Sequence, residues 1–262
     1  MLRFFGRGSA FADIQNSAFF VDGERLVMID CPMSSFHVLR REGPNAVAAA
    51  YQSSIRESSS TPAETGEDPD STPDIRHLYV LVTHTHGDHV GGIPMLIHYA
   101  YYIWHIPLTV IAPSDEVRED LEFLINRLEG CGSDTYELIT ADDTMPWGLQ
   151  VIPTSHTVEL EGRCFGFRLV INGRTVVYTG DTNTLAPFLP YLEGVPGAQF
   201  YTEVAVFSTP VHLYIYATLD ELKSLTAAGV EVFLMHLDDE EHILTAIEGT
   251  GIQPAPLYIE PH

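Results

Sequence analysis

His84-Thr85-His86-Gly87-Asp88-His89 decides how this chain is read. Four of the six residues can ligate a metal, and Gly87 between them is free to take a sharp bend. The apolar run Leu78-Tyr79-Val80-Leu81-Val82 comes just before, with the composition and length of a buried strand. The cluster therefore follows the carboxyl end of a strand, where open sheets place their sites. Three imidazoles and a carboxylate this close together need polar partners when buried. A solvated turn is the alternative, and it would not account for the similar residues downstream.

Those residues recur after later strand-like runs. His156 follows Pro153-Thr154-Ser155, Asp181 follows Val176-Val177-Tyr178-Thr179-Gly180, and His236 follows Val232-Phe233-Leu234-Met235. With His84, His86, Asp88 and His89 they make a set that suits two divalent metals sharing a ligand. Five imidazoles favour zinc, with manganese or iron as alternatives. Two divalent ions, two aspartates and one hydroxide sum to about +1, a charge that welcomes an anionic substrate atom. Such a pair, about 3.5–4 Å apart, generates hydroxide near neutral pH and stabilises charge in a displacement.

In order and spacing, His84-x-His86-x-Asp88-His89, His156, Gly180-Asp181-Thr182 and His236 resemble the motifs of the metallo-β-lactamase superfamily. Ile29-Asp30-Cys31 resembles that family's first aspartate motif. The resemblance covers nearly the whole chain and implies an α/β fold, the four-layered αββα sandwich. It implies that His84, His86 and His156 hold one metal, that Asp88, His89 and His236 hold the other, and that Asp181 bridges them. It gives Asp88 the task of orienting or deprotonating the attacking water, and Asp30 that of accepting from backbone or a ligand histidine. Gly6-Arg7-Gly8-Ser9-Ala10-Phe11 and Asn16-Ser17 look like the ribonuclease Z and phosphodiesterase branch. That branch implies a proton donor to the leaving oxygen near His212, oriented by a glutamate near Glu203. The chain departs from it in three places. Thr202 stands where the branch has histidine, Glu159 to Phe165 leaves room for little more than a turn where ribonuclease Z carries a tRNA-gripping arm, and His212 precedes the capping box at Thr218 by six residues, farther than the branch's histidine-serine-threonine motif suggests. The expectation is a dinuclear zinc phosphodiesterase acting on a small anionic ester, nucleotides included and tRNA excluded. Hydrolysis of carboxylic esters, thioesters or lactams on the same site is the alternative, and an iron-dependent oxidoreductase a further one.

Charge agrees with the exclusion of tRNA. Among 262 residues, 13 Lys and Arg face 36 Asp and Glu, a net charge of −23, whereas nucleic-acid binders carry basic stripes. The hydrophobic fraction of 45% is that of a globular protein. No run is long enough to span a membrane, and the opening Met1-Leu2-Arg3-Phe4-Phe5-Gly6-Arg7-Gly8 breaks too early for an export signal, so the cytoplasm is the expected compartment. Cys31, Cys131 and Cys164 are too few and too widely spaced for a disulfide framework, which leaves them to the core.

The remaining pattern predicts one domain over 1–262. Strands are expected at 18–21 and 26–29 around the turn Asp22-Gly23, at 78–82, 108–112, 136–140, 149–154, 164–171 and 175–179 (a hairpin through Asn172-Gly173), at 200–207 and at 230–234. Helices are expected over 36–52 with a break at Gly43-Pro44, over 93–103, over 115–128 capped by Ser114, from the capping box at Thr218 to about Ala228, and over 240–247. Residues 53–74, rich in Ser, Thr, Pro and Glu, read as a flexible surface insertion. The helical stretch 93–104 is apolar nearly all round, so it is either buried on several sides or the seam of a homodimer. His37, His77, His98, His105 and His242 lack partners at ligand spacing and read as ordinary surface or core residues.

Overall fold

Two runs of alternating and continuous hydrophobicity, one in each half of the chain, become two six-stranded sheets. The computed structural model describes residues 1–58, 73–142 and 144–259. The first sheet holds β1 (Arg3–Gly6), β2 (Ser17–Asp22), β3 (Arg25–Ile29), β4 (His77–Leu81), β5 (Leu108–Ala112) and β6 (Glu137–Thr140), in that order. The second holds β7 (Gln150–Thr154), β8 (Cys164–Ile171), β9 (Arg174–Tyr178), β10 (Gln199–Glu203), β11 (Glu231–Met235) and β12 (Gln253–Pro254), again in chain order. Both follow one plan. Three antiparallel strands come first, and then each new strand adds in parallel. Parallel addition puts successive strand ends, and the loops after them, on the same rim.

Helices cover the outer faces, α1 (Met33–Glu42), α2 (Pro44–Ser58), α4 (Ile93–Tyr99), α5 (Asp115–Glu122), α6 (Ile215–Ala227) and α7 (Glu240–Ile247), while the single turn α3 (Gly87–Val90) sits at the rim after β4. This is the four-layered αββα arrangement. One core runs between the sheets, where Phe4, Phe20 and Val27 of the first join Tyr178, Tyr201 and Phe233 of the second. A second core lies between the second sheet and its helices, around Phe188, Phe200, Leu222 and Ile243. Each such side chain contributes about 1.5–3 kcal/mol by leaving water. The three cysteines are buried and unpaired, as expected of core residues. Among the described residues no helix is long and apolar enough to cross a membrane.

Several boundaries differ from the sequence reading. β1 and the short β12 were not foreseen. They stitch the two halves together: Phe4 N–H donates to Pro256 at 3.0 Å and Tyr258 N–H to Phe4 at 2.7 Å. Helix α2 runs on through 53–58, because Ile55 still packs on the core and Ser54 accepts from Arg3 Nε at 3.0 Å. The rest of the proposed insertion, 59–72, lies outside the described residues, as does His262. Helix α6 starts at Ile215, not at the capping box, because Ile215 is fully buried and the Thr218 hydroxyl turns back onto the Tyr214 carbonyl at 3.2 Å. Strand β10 stops at Glu203 rather than 207. The apolar stretch 93–104 splits in two: Ile93, Leu96, Ile97 and Ala100 face the core, while Met95, Tyr101, Tyr102 and Ile103 are exposed. Its last turn, Ala100–Trp104, and the last turn after α5, Phe123–Leu128, widen to π geometry.

Candidate metal centre

The rim where β4, β7, β9 and β11 end carries all the ligand-type residues that the sequence singled out. Beyond β4 the chain turns through Thr83 and His84 into the single turn α3, which carries Asp88 and His89, with His86 at its amino end. Gly87 sits in ordinary helical backbone with open space where a Cβ would be, so the bend it was thought to permit is not what the site needs. The close approach is at Gly92, where a Cβ would lie 2.5 Å from the Pro32 carbonyl oxygen. The turn is held there by Cys31 N–H to His89 O (2.7 Å) and Gly92 N–H to Cys31 O (2.8 Å). His156 follows β7. Asp181 follows β9 through Gly180, whose φ of +61° only glycine adopts freely. His236 is the first residue after β11 and itself stands at φ 53°.

Two groups of ligand atoms result. His84, His86, His156 and Asp181 each offer one atom, all within 4.8 Å of one another, and so do Asp88, His89 and His236. Asp181 reaches both: its Oδ2 lies 3.9 Å from His84 Nε2, 3.7 Å from His156 Nε2 and 3.4 Å from His236 Nε2, and its Oδ1 lies 3.4 Å from His89 Nε2. Asp88 Oδ2 stands 3.4 Å from His89 Nε2 and 3.3 Å from His236 Nε2. Asp181 is thus placed between the groups. His89 Nε2 and Asp181 Oδ1 are buried without a hydrogen-bond partner. Orphaned polar atoms are costly, and two that converge are what a cation would satisfy. The donor set of imidazoles and carboxylates therefore fits divalent metal.

The supporting bonds fix the rings of His84, His89 and His156 so that their Nε2 atoms point inward, whereas His86 turns its Nδ1 toward His84 Nε2, at 3.0 Å. Asp30, fully buried, accepts from Thr83 N–H, from the Thr83 hydroxyl and from His89 Nδ1, each at 2.8 Å. Because its hydroxyl donates to Asp30, Thr83 accepts from His84 Nδ1 at 3.0 Å. His156 Nδ1 donates to the Val211 carbonyl at 2.7 Å. Thr83, between strand and cluster, was not singled out from the sequence; its only signal was a small hydroxyl residue beside a ligand.

Titration follows from this crowding. Burial lowers the pKa of His84, and the neighbouring His89 lowers it further. Burial would also lower His89 and His236, but Asp181, with Asp30 for the one and Asp88 for the other, holds both above the ordinary histidine value. Against the opposing pull of burial, His236 and His89 hold Asp181 far below the carboxylate range. Imidazolium and carboxylate here neutralise each other, a role a divalent cation would take over with release of protons.

Beside the two groups stands a carboxylate–imidazole pair. His212 Nδ1 donates to Glu203, 3.0 Å from Oε1 and 2.8 Å from Oε2, and Thr182 N–H donates to Oε1 at 2.5 Å. Glu203 is fully buried; burial, then the charge of Asp181, pushes its pKa up. The His212 ring lies 4.9 Å from that of His156 and 5.3 Å from that of His236. His156, Asp181, Glu203 and His212 also lie close enough to form a ligand group, but both Glu203 oxygens are already engaged. Thr202 does not join the site; its hydroxyl donates to the Glu203 carbonyl. His37, His77, His98, His105 and His242 belong to none of these groups. Between His156 and Asp181 run only one 3₁₀ turn (Val158–Leu160) and the β8–β9 hairpin, so this stretch carries no arm. A cavity of about 400 Å³ opens over His212 and His236.

Comparison with known proteins agrees with this fold. The profile of the family described as "Beta-lactamase superfamily domain" matches residues 27–201. No curated protein matches in sequence. Among solved structures, the metallo-β-lactamase fold protein YhfI from Bacillus subtilis superposes with a TM-score of 0.67 at 16% identity, covering 97% of this chain and 95% of its own. A diphosphatase of the PhnP family gives 0.65 at 15% identity, covering 100% and 96%. Human tRNase Z, short form, gives 0.56 at 14% identity, covering 98% and 97%.

Proposed function

The chain belongs to the β-lactamase superfamily, and from that premise we propose that it is a dinuclear zinc hydrolase that cleaves a phosphodiester. His84, His86 and His156 would hold one ion and Asp88, His89 and His236 the other, with Asp181 shared. When bound, the two ions supply activation of water at neutral pH and stabilisation of charge on the ester oxygens. The chain's own residues do the rest. Asp88, facing both His89 and His236, takes or orients the proton of the attacking water. His212 gives a proton from Nε2 to the departing oxygen, and Glu203, engaging Nδ1 with both oxygens, keeps that ring correctly turned.

The Glu203–His212 pair is the observation that carries the phosphodiester reading. An alkoxide leaving phosphorus is a strong base and needs an acid; a thioester's leaving group needs it far less. That the same fold serves a diphosphatase and a tRNase adds support. The test is turnover of bis(p-nitrophenyl) phosphate by protein loaded with two equivalents of zinc, with Asp88→Ala as the blank. Turnover that vanishes in the variant is expected. No turnover with both metals bound overturns the reading and brings esters, thioesters and lactams forward.

A further inference from the structure

We propose that the site accepts an ester bearing a single negative charge and a flat apolar ring, the ring held between Phe11 and Phe207; this rests on the phosphodiester reading above. The cavity over His212 and His236 is lined by two loops, 9–12 and 205–212, and by Asp238. Each loop presents one phenylalanine, and both are largely in water, Phe11 at 102% and Phe207 at 67% exposure. A single exposed apolar side chain is ordinary. Two on the walls of one cavity that opens over candidate catalytic groups form a ligand surface. Aromatic faces favour a planar partner.

The two rings are not on wandering loops. Ser9 N–H donates to Leu237 O at 2.9 Å and Leu237 N–H to Arg7 O at 2.8 Å, which anchors the first loop. The carboxylate of Asp238 accepts from Val206 N–H at 2.9 Å and from Phe207 N–H at 3.2 Å, which anchors the second. Both loops thus hang from Leu237 and Asp238, the two residues directly after His236. The distance from ring pocket to candidate metal ligand is fixed by the backbone of one short segment.

Charge sets the rest of the specificity. Among the described residues no lysine or arginine lines the cavity, and the one carboxylate, Asp238, is spent on backbone amides. A ligand with several phosphates would meet no side-chain cation there, on a chain whose net charge is −23. A cavity of about 400 Å³ is the size of a small-molecule site, with room for a ring and one ester group.

Calorimetry on the zinc-loaded protein with phosphonates, phosphorus NMR confirming that their ester bonds stay uncleaved over the titration, tests this. The probes are phenyl phenylphosphonate (monoanion with rings), thymidine 5′-methylphosphonate (monoanion with a base), methyl methylphosphonate (monoanion without a ring) and phenylphosphonate (dianion with a ring). The better of the two ring-bearing monoanions should bind at least tenfold more tightly than methyl methylphosphonate and than the dianion. Phe11→Ala and Phe207→Ala should each remove most of that advantage without changing methyl methylphosphonate binding. Tighter binding of the thymidine probe identifies the ring as a nucleobase, and tighter binding of the phenyl probe identifies it as an aryl group; both uphold the proposal. Equal binding of all monoanions, or no loss on removing either phenylalanine, overturns it even where diester turnover persists. Absence of binding by every probe overturns it together with the phosphodiester reading.

Discussion

Replacing Asp30 with asparagine should weaken metal binding, at one of the two sites above all, while leaving a folded protein. Asp30 is fully buried and accepts three hydrogen bonds at 2.8 Å, two from Thr83 and one from His89 Nδ1. Asparagine keeps the shape, and it tolerates the left-handed backbone at φ 61° better than most residues. Its carbonyl oxygen can still accept from Thr83 N–H. The amide nitrogen then stands where Oδ2 accepts from His89 Nδ1 and cannot accept, so the charge-assisted bond to His89, worth about 1.5–3 kcal/mol, is lost. If that loss falls on the metal-bound state, it is a factor of about 10–100 in affinity at roughly 1.4 kcal/mol per tenfold, the range that supporting carboxylates give elsewhere. The assay is competition for zinc against a chromophoric chelator, which resolves two binding steps, paired with urea unfolding of the metal-free protein. The step that uses His89, bonded to Asp30 directly, should weaken more than the step that uses His84, which Asp30 reaches only through Thr83. Asp30→Ala should be worse, because it strands three donors in the core at about 1–3 kcal/mol each and is expected to lower the urea midpoint steeply. Wild-type affinity at both steps in Asp30→Asn would refute the claim that Asp30 acts through His89.

Other outcomes follow from the same geometry. His212→Ala and Glu203→Gln should slow cleavage of diesters with alkoxide leaving groups by about 10²–10⁴-fold, and hardly affect those releasing p-nitrophenolate; equal slowing of both classes would remove the proton-donor role. Zinc affinity should fall as pH is lowered from about 8 to 6, because His89 and His236 sit above the ordinary histidine value and must shed protons to bind metal, by up to about tenfold per pH unit for each proton released; a flat profile would contradict this. Gly92→Ala should destabilise the fold by about 1–3 kcal/mol and weaken zinc binding, since its Cβ would press on the Pro32 and Cys31 carbonyls at 2.5 and 2.8 Å. Thermal melts of the metal-free protein check this, and Gly87→Ala, with nothing within 4 Å, should be nearly silent in them.

The site was legible in the sequence because its residues sit at strand ends, and strand ends are marked by hydropathy. Each apolar run before His84, Asp181 and His236 is a parallel strand, and parallel addition delivers these loops to one rim. The pairing of Glu203 with His212 was available only through resemblance, since the two come from a strand end and an irregular loop that only the tertiary fold brings together. What failed was local. The capping-box pattern at Thr218 lost to the burial of Ile215, which tertiary packing demands and a four-residue pattern cannot register. Strand β1 carries too short a run to be seen, and it forms because β2 and the segment around Pro256 offer it partners on both sides. The site glycines were misassigned for a similar reason: the crowding at Gly92 comes from Pro32, sixty residues away in sequence, and nothing local announces it.

His236 stands on left-handed backbone, φ 53°, where a residue with a branched ring costs about 1–3 kcal/mol and glycine would cost nothing. A library of this chain screened for heat resistance alone would therefore reward the loss of His236, and the survivors would be sturdier and inert. Read in the other direction, a histidine at a place where folding prefers glycine is accounted for by the candidate ligand group it joins, not by stability. Any campaign to harden this scaffold has to hold that codon fixed and look for its gains on faces remote from the rim.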